Sequence, residues 1–63
     1  MEKNNLKKIR IQKQLTIREL SEISGVSIGY ICHLELGTRK NPSKDIMKKI
    51  ANALGENVIE IFF

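Results

Sequence analysis

Apolar residues recur along the chain at three- and four-residue intervals and no stretch reads as a strand, so the pattern predicts helices throughout. Leu6 and Ile9, at i and i+3, with Lys7, Lys8, Gln12 and Lys13 on other faces, predict a first helix of about ten residues in which Ile11 lies off the apolar stripe. Thr16 followed by Glu19 forms a capping box, in which the hydroxyl accepts from the Glu19 amide and the carboxylate accepts from the Thr16 amide. A second helix starts there, carries Leu20 and Ile23 inward and ends at Gly25, where the left-handed conformation closes it. Ser27 caps a third helix with Ile31 and Leu34 as its buried stripe, stopped by Gly37. After the polar loop Thr38-Arg39-Lys40-Asn41-Pro42, Ser43 caps a fourth helix carrying Ile46, Ile50, Ala53 and Leu54 as far as Gly55. Asn57-Val58-Ile59-Glu60 repeats the cap-plus-acid pattern and begins a short fifth, ending in Ile61-Phe62-Phe63. The expected fold class is all-α, with five helices.

Length and composition narrow this picture. At 63 residues the chain has room for a single domain, 1–63, since a chain of about 60 residues buries only roughly 60% of its unfolded surface. With 41% hydrophobic and 29% charged residues it falls among globular proteins rather than disordered or fibrous ones. The apolar runs of two or three residues fall far short of the roughly 20 needed to cross a bilayer, and Met1-Glu2-Lys3-Asn4-Asn5 has no apolar stretch behind it, so neither a membrane span nor a signal peptide is expected. One cysteine, Cys32, has no partner for a disulfide and no CxxC neighbour for zinc, which points to the cytoplasm and to no metal.

The net charge of +4 favours an anionic partner, and its distribution says more than its sum. Lys3, Lys7, Lys8, Arg10 and Lys13 against Glu2 give residues 1–14 a charge of +4, and Arg39, Lys40, Lys44, Lys48 and Lys49 against Asp45 give 36–49 the same. The intervening 15–35 and the final 50–63 are each −2. Two basic segments flanking a neutral to acidic one can grip a phosphate backbone on both sides of an inserted element, or can simply be the solvated faces of a small basic protein.

The run Thr16-x3-Leu20-Ser21-x3-Gly25-Val26-Ser27-x3-Ile31-x3-Glu35-x-Gly37 resembles the helix-turn-helix of the phage-repressor and Cro family, also called the XRE family. Leu6-x2-Ile9-Arg10 resembles its first helix, Asn41-Pro42-Ser43 the start of its fourth, and Leu54-Gly55 with Val58 and Ile61 its end, so the resemblance covers nearly the whole chain. It implies a lambda-repressor-like domain whose second and third helices form the motif. A glycine between two short helices permits the tight turn, and apolar residues at 20, 23, 26, 31 and 34 hold the pair at a fixed angle so that the third helix protrudes. A helix of that width fits the major groove, about 12 Å across.

The resemblance implies that helix two lies across the DNA backbone and that helix three, 27–36, is the recognition helix. Positions 28, 29, 32 and 33 point away from Ile31 and Leu34, so Ile28, Gly29, Cys32 and His33 face the bases, flanked by Ser27 and Tyr30. His33 can bond guanine N7 or a phosphate, or be merely solvated; Ile28 can touch a thymine methyl or cover the junction of helices two and three. Gly29 lets DNA approach closely or is simply tolerated, and Cys32, where similar proteins often have serine, is a weak hydrogen-bonder better suited to packing. Tyr30 can reach a phosphate or pack on helix two. Phosphate contacts are expected from Thr38, Arg39 and Lys40 on one strand, from the amino-terminal turn at Thr16, Ile17 and Arg18 on the other, and from Ser43 and Lys44. Ile17 stands where the family often has glutamine and Leu36 where a polar residue is usual. Arg10 and Glu35 look like the family's ion pair joining helix one to the end of the recognition helix.

Function follows as an expectation: a sequence-specific regulator of transcription, a repressor binding double-stranded DNA at a palindromic operator. Ile59, Phe62 and Phe63 put apolar surface at a chain end and form the expected homodimer interface, unless the phenylalanines pack back on helix one. An enzyme is not expected, because His33 and Cys32 are adjacent, about 100° apart around a helix, and cannot form a nucleophile–base pair. No cofactor or small-molecule site is indicated. The rival reading keeps the architecture but turns Ile28, Cys32 and Leu36 against a protein, as an antirepressor or regulatory subunit. The basic pair Arg39-Lys40 separates the two, since a DNA reader needs it and a protein binder does not.

Overall fold

The computed structural model describes residues 4–38 and 41–63. Lys3 and the phosphate candidates Arg39 and Lys40 lie outside the described residues. The helices are α1 (Leu6–Gln12), α2 (Ile17–Ser24), α3 (Ile28–Leu36), α4 (Lys44–Leu54) and α5 (Val58–Phe62), with no strand among the described residues. None of these helices is long and apolar enough to cross a membrane.

Local signals set most of the boundaries. Thr16 Oγ1 accepts from the Glu19 amide at 3.0 Å while the Glu19 carboxylate accepts from the Thr16 amide at 2.9 Å, a closed capping box at the start of α2. Ser27 and Ser43 accept from the amides of Tyr30 and Ile46, so α3 and α4 begin with the same physics. At the other end of α2, Gly25 sits at φ 77° and lets the chain turn into α3 within three residues; a side chain there would meet no atom but would carry the strain of that φ. Gln14, between α1 and α2, holds a left-handed φ of 61° without being glycine.

Asn57 departs from the expected pattern: it is the N-cap residue of α5, yet its side chain makes no capping bond. This single-turn helix is held from its other end. The Asn5 amide donates to the Ile61 carbonyl at 2.8 Å and the Asn5 side chain to the Glu60 carbonyl at 3.1 Å, so two carbonyls that a helix terminus leaves open find partners across the fold.

The core comprises Leu6, Leu20, Val26, Ile31, Leu34, Ile50, Ala51, Leu54 and Ile61, one or more from every helix. Around it α2 packs on α3 and α4, α4 on α5, and α1 on α3 and α5. Ile23 is not part of it, contrary to expectation, and is 59% exposed. The face of α2 that turns inward runs through Ile17, Leu20, Ser21 and Ser24, which places Ile23 roughly 100° away around the axis. Ser24 takes the inward place and its hydroxyl accepts from the Val26 amide at 3.2 Å, so the α2–α3 turn is fixed by a hydrogen bond rather than by an isoleucine. In α4 the buried line likewise passes through Ala51, with Ala53 only half-buried.

Candidate nucleic-acid interface

Two helices define the candidate surface: α3, presented with its back buried and its front in solvent, and the first turn of α2. Ile31, Leu34 and Glu35 form the buried back. Gly29 and His33 lie on the opposite side and are exposed, Leu36 beside them is 62% exposed, and Ile28 in the first turn is 44% exposed. A methyl group on Gly29 would meet nothing within 4 Å, so the protein itself does not require glycine there. Ser27 is exposed while its hydroxyl oxygen caps the helix.

Cys32 lies at the α1 edge of this face, between Ile28 and Leu36. It is half-buried, about 100° around from Ile31, and turns to the α1 side of the helix. There it lines a cleft of about 300 Å³ with Asn4, Lys7 and Arg10 from the start of the chain, Ile17 from α2, and Glu35 and Leu36. This places Cys32 near the Arg10 guanidinium. Tyr30, at the other margin, is half-buried and packs against the core.

The orientation of α3 is set from α1. Arg10 Nε donates to Glu35 Oε2 at 2.7 Å and Arg10 Nη2 to Oε1 at 3.2 Å, while Nη1 donates to the Leu15 carbonyl at 2.7 Å. Both side chains are largely withdrawn from water, and the hydrogen bond to Glu35 raises the pKa of Arg10 against the opposing effect of burial. Asn4 adds a contact that sequence pattern does not signal: its side-chain amide donates to the Leu34 carbonyl at 3.1 Å while its Oδ1 accepts from the Leu6 amide at 3.0 Å. An asparagine before a helix advertises its cap and not its distant partner. Among the described residues no buried side-chain polar atom lacks a hydrogen bond.

Around this helix the described phosphate candidates fall into two groups. At the start of α2 the hydroxyl of Thr16 is taken up in the capping box, leaving the backbone amides of Ile17 and Arg18 with no partner among the described residues, as the first turn of a helix generally has. The Arg18 side chain is exposed beside them, whereas Ile17 packs partly against the core. On the other side, Thr38 follows α3, and Ser43 and Lys44 open α4; all three are exposed, with the Ser43 hydroxyl serving as a cap. The Thr38 hydroxyl meets His33, with Oγ1 at 2.9 Å from Nδ1 and at 3.2 Å from the His33 carbonyl. No group of three or more His, Cys, Asp or Glu side chains among the described residues is placed to hold a metal.

Residues 4–62 match the family model described as "Helix-turn-helix domain". The chain belongs to the helix-turn-helix family. That family is one of transcription regulators and not of enzymes. Within the helix-turn-helix, α2 and α3 are the paired elements and Gly25 the turn. The transcriptional regulator ClgR of Mycobacterium tuberculosis, in strains CDC 1551 / Oshkosh and ATCC 25618 / H37Rv, is 39% identical over 49 residues, 78% of this chain. The helix-turn-helix chain spans 43% of the length of these relatives. No solved structure matches it significantly.

Proposed function

We propose that the chain, as a single domain over 1–63, is a DNA-binding regulator of transcription in the cytoplasm that inserts α3 into the major groove. The observation that carries this is the presentation of α3: its back is buried and fixed to α1 by Arg10–Glu35, while Ile28, Gly29 and His33 stand in solvent and Arg18 and Lys44 are exposed at the starts of α2 and α4. A helix held this rigidly and exposed on one side matches the geometry of groove insertion. Ser27, Ile28, Gly29 and His33 then meet base edges. The amides of Ile17 and Arg18, with the Arg18 side chain, meet one backbone; Arg39, Lys40, Ser43 and Lys44 meet the other. The similarity to a transcriptional regulator supports the same reading.

The finer form of the proposal is a homodimeric repressor. Ile59 and Phe63 are 69% and 84% exposed at the end of the chain, while Phe62 is half-buried against the core, so the apolar surface available to a second copy is centred on the first two. A two-fold dimer sets two α3 helices one DNA turn, about 34 Å, apart and reads a palindrome. Occupying such an operator is enough to repress.

Selection from random duplex DNA, followed by titration of the enriched site across salt concentration, tests this. The expected result is a palindromic site with a steep negative salt slope, reduced by about one for each of Arg39→Ala and Lys40→Ala. The exposed Ile23, Ile28 and Leu36 favour a second reading, a protein-binding surface. Absence of any enriched site would select it.

A further inference from the structure

His33 carries a hydrogen-bonding choice that the Thr38 hydroxyl has already made. A neutral imidazole has one N–H and one acceptor nitrogen, and the partner of one nitrogen decides what the other presents. The His33 carbonyl accepts from the Thr38 amide at 3.0 Å, and Thr38 Oγ1 lies 3.2 Å from the same carbonyl, a further contact that the hydroxyl makes only by donating its proton, and 2.9 Å from His33 Nδ1. Its single proton cannot serve both. If the hydroxyl donates to the carbonyl, Nδ1–H donates to Oγ1 and both contacts are made; if it donates to Nδ1, the carbonyl contact is lost. Two bonds against one favour the Nδ1–H form. Nε2 then has no partner among the described residues and projects an acceptor lone pair from the exposed face of α3.

We infer that His33 reads an exocyclic amine in the major groove, N6 of adenine or N4 of cytosine, and that Thr38 is the positioning residue that fixes this choice. The inference rests on the proposed insertion of α3 into DNA and adds which base chemistry one position accepts. In the major groove adenine and cytosine present amine donors, whereas guanine presents N7 and O6, both acceptors. An Nε2 lone pair facing guanine meets like with like. The guanine N7 contact open to a histidine of unspecified tautomer is thereby disfavoured, and Thr38 acts through His33 rather than on a phosphate.

Two measurements on the 63-residue chain test this. In the free protein, long-range proton–nitrogen correlation spectra of the imidazole should show the Nδ1-protonated form. Thr38→Val should shift it towards the Nε2-protonated form and Thr38→Ser should restore it. On DNA, comparison of the sites selected by the wild type and by His33→Ala identifies the base pair whose preference depends on His33. Replacing its adenine by purine, or its cytosine by 2-pyrimidinone, removes only the amine; whichever analogue applies tells the two bases apart. The wild type should then bind roughly five- to ten-fold more weakly, as the loss of one hydrogen bond predicts, and His33→Ala should be indifferent. An Nε2-protonated ring in the free wild type, a His33-dependent loss of affinity on replacing guanine of that pair by 7-deazaguanine, or an amine effect unchanged in His33→Ala would overturn the inference while leaving DNA binding intact. No selected site for the wild type would overturn both.

Discussion

Arg10 and Glu35, twenty-five residues apart in sequence, meet through two side-chain hydrogen bonds of 2.7 and 3.2 Å, and a third bond from the same guanidinium reaches the Leu15 carbonyl. One planar group thus joins α1, the turn that leads to α2, and the last turn of α3. A lysine cannot reproduce this, because a point ammonium lacks the fork that engages both carboxylate oxygens and a carbonyl together.

Removing one partner of this pair strands the other in a largely water-excluded place. Glu35→Gln or Arg10→Met should each lower stability by about 3 kcal/mol, measured by denaturant titration, whereas Arg10→Met with Glu35→Leu should recover much of that loss. The raised pKa of Arg10 fixes the pH direction. A group whose pKa is higher folded than unfolded stabilises fully below its ordinary value and loses that contribution as the pH climbs through the raised one. The arginine's contribution should therefore stay constant from neutral pH to the ordinary arginine range and fade only above it.

Gly29 separates folding from binding. Because a Cβ there meets nothing in the protein, Gly29→Ala should stabilise α3 by about 1 kcal/mol, raising Tm by roughly 4–8 °C. The same variant should bind the selected DNA site more weakly, since a methyl group then stands between the helix backbone and the base edges. Paired melting and binding curves check both signs.

Gln14 occupies a left-handed conformation that costs a side-chain-bearing residue roughly 1–2 kcal/mol. Gln14→Gly removes that strain and adds the smaller entropy cost of glycine, about 0.5–1 kcal/mol. The expected net gain is about 0.5 kcal/mol, read as a small rise in the denaturation midpoint at unchanged m-value.

The exposed end of the chain makes the dimer testable apart from the fold. Ile59→Lys with Phe63→Glu should convert the chain to a monomer by sedimentation equilibrium without lowering the monomer's stability, because neither side chain belongs to the core. Affinity for a full palindrome should fall towards that for a half-site.

Most of the frame was legible because its signals are local. Thr16 with Glu19, Ser27 and Ser43 announce helix starts through bonds spanning three residues, and Gly25 and Gly37 announce ends through a conformation most residues avoid. Placement around a helix axis was less legible. Ile23 and Ser24 differ by one position and by 100°, and hydrophobicity chose the isoleucine where packing angle chose the serine. Cys32 was legible as a residue of the outer side of α3, but its partial burial was not, since that depends on the neighbouring α1. Contacts between a side chain and a distant carbonyl, such as Asn4 to Leu34, leave no periodic trace. Thr38 was visible as a polar residue after α3 but its hold on His33 was not, since five residues of sequence separation correspond to a bond only after Gly37 has turned the chain.

The two bonds from Asn5 to the carbonyls of Ile61 and Glu60 close the polypeptide into something near a ring. With the two ends of the fold one hydrogen bond apart, its architecture depends on which helices adjoin and little on where the chain is cut. A circular permutant with residue 63 joined to residue 4 by a few glycines and reopened at Gly55 should recover the same arrangement, because the new linker spans a gap already bridged and costs little loop-closure entropy.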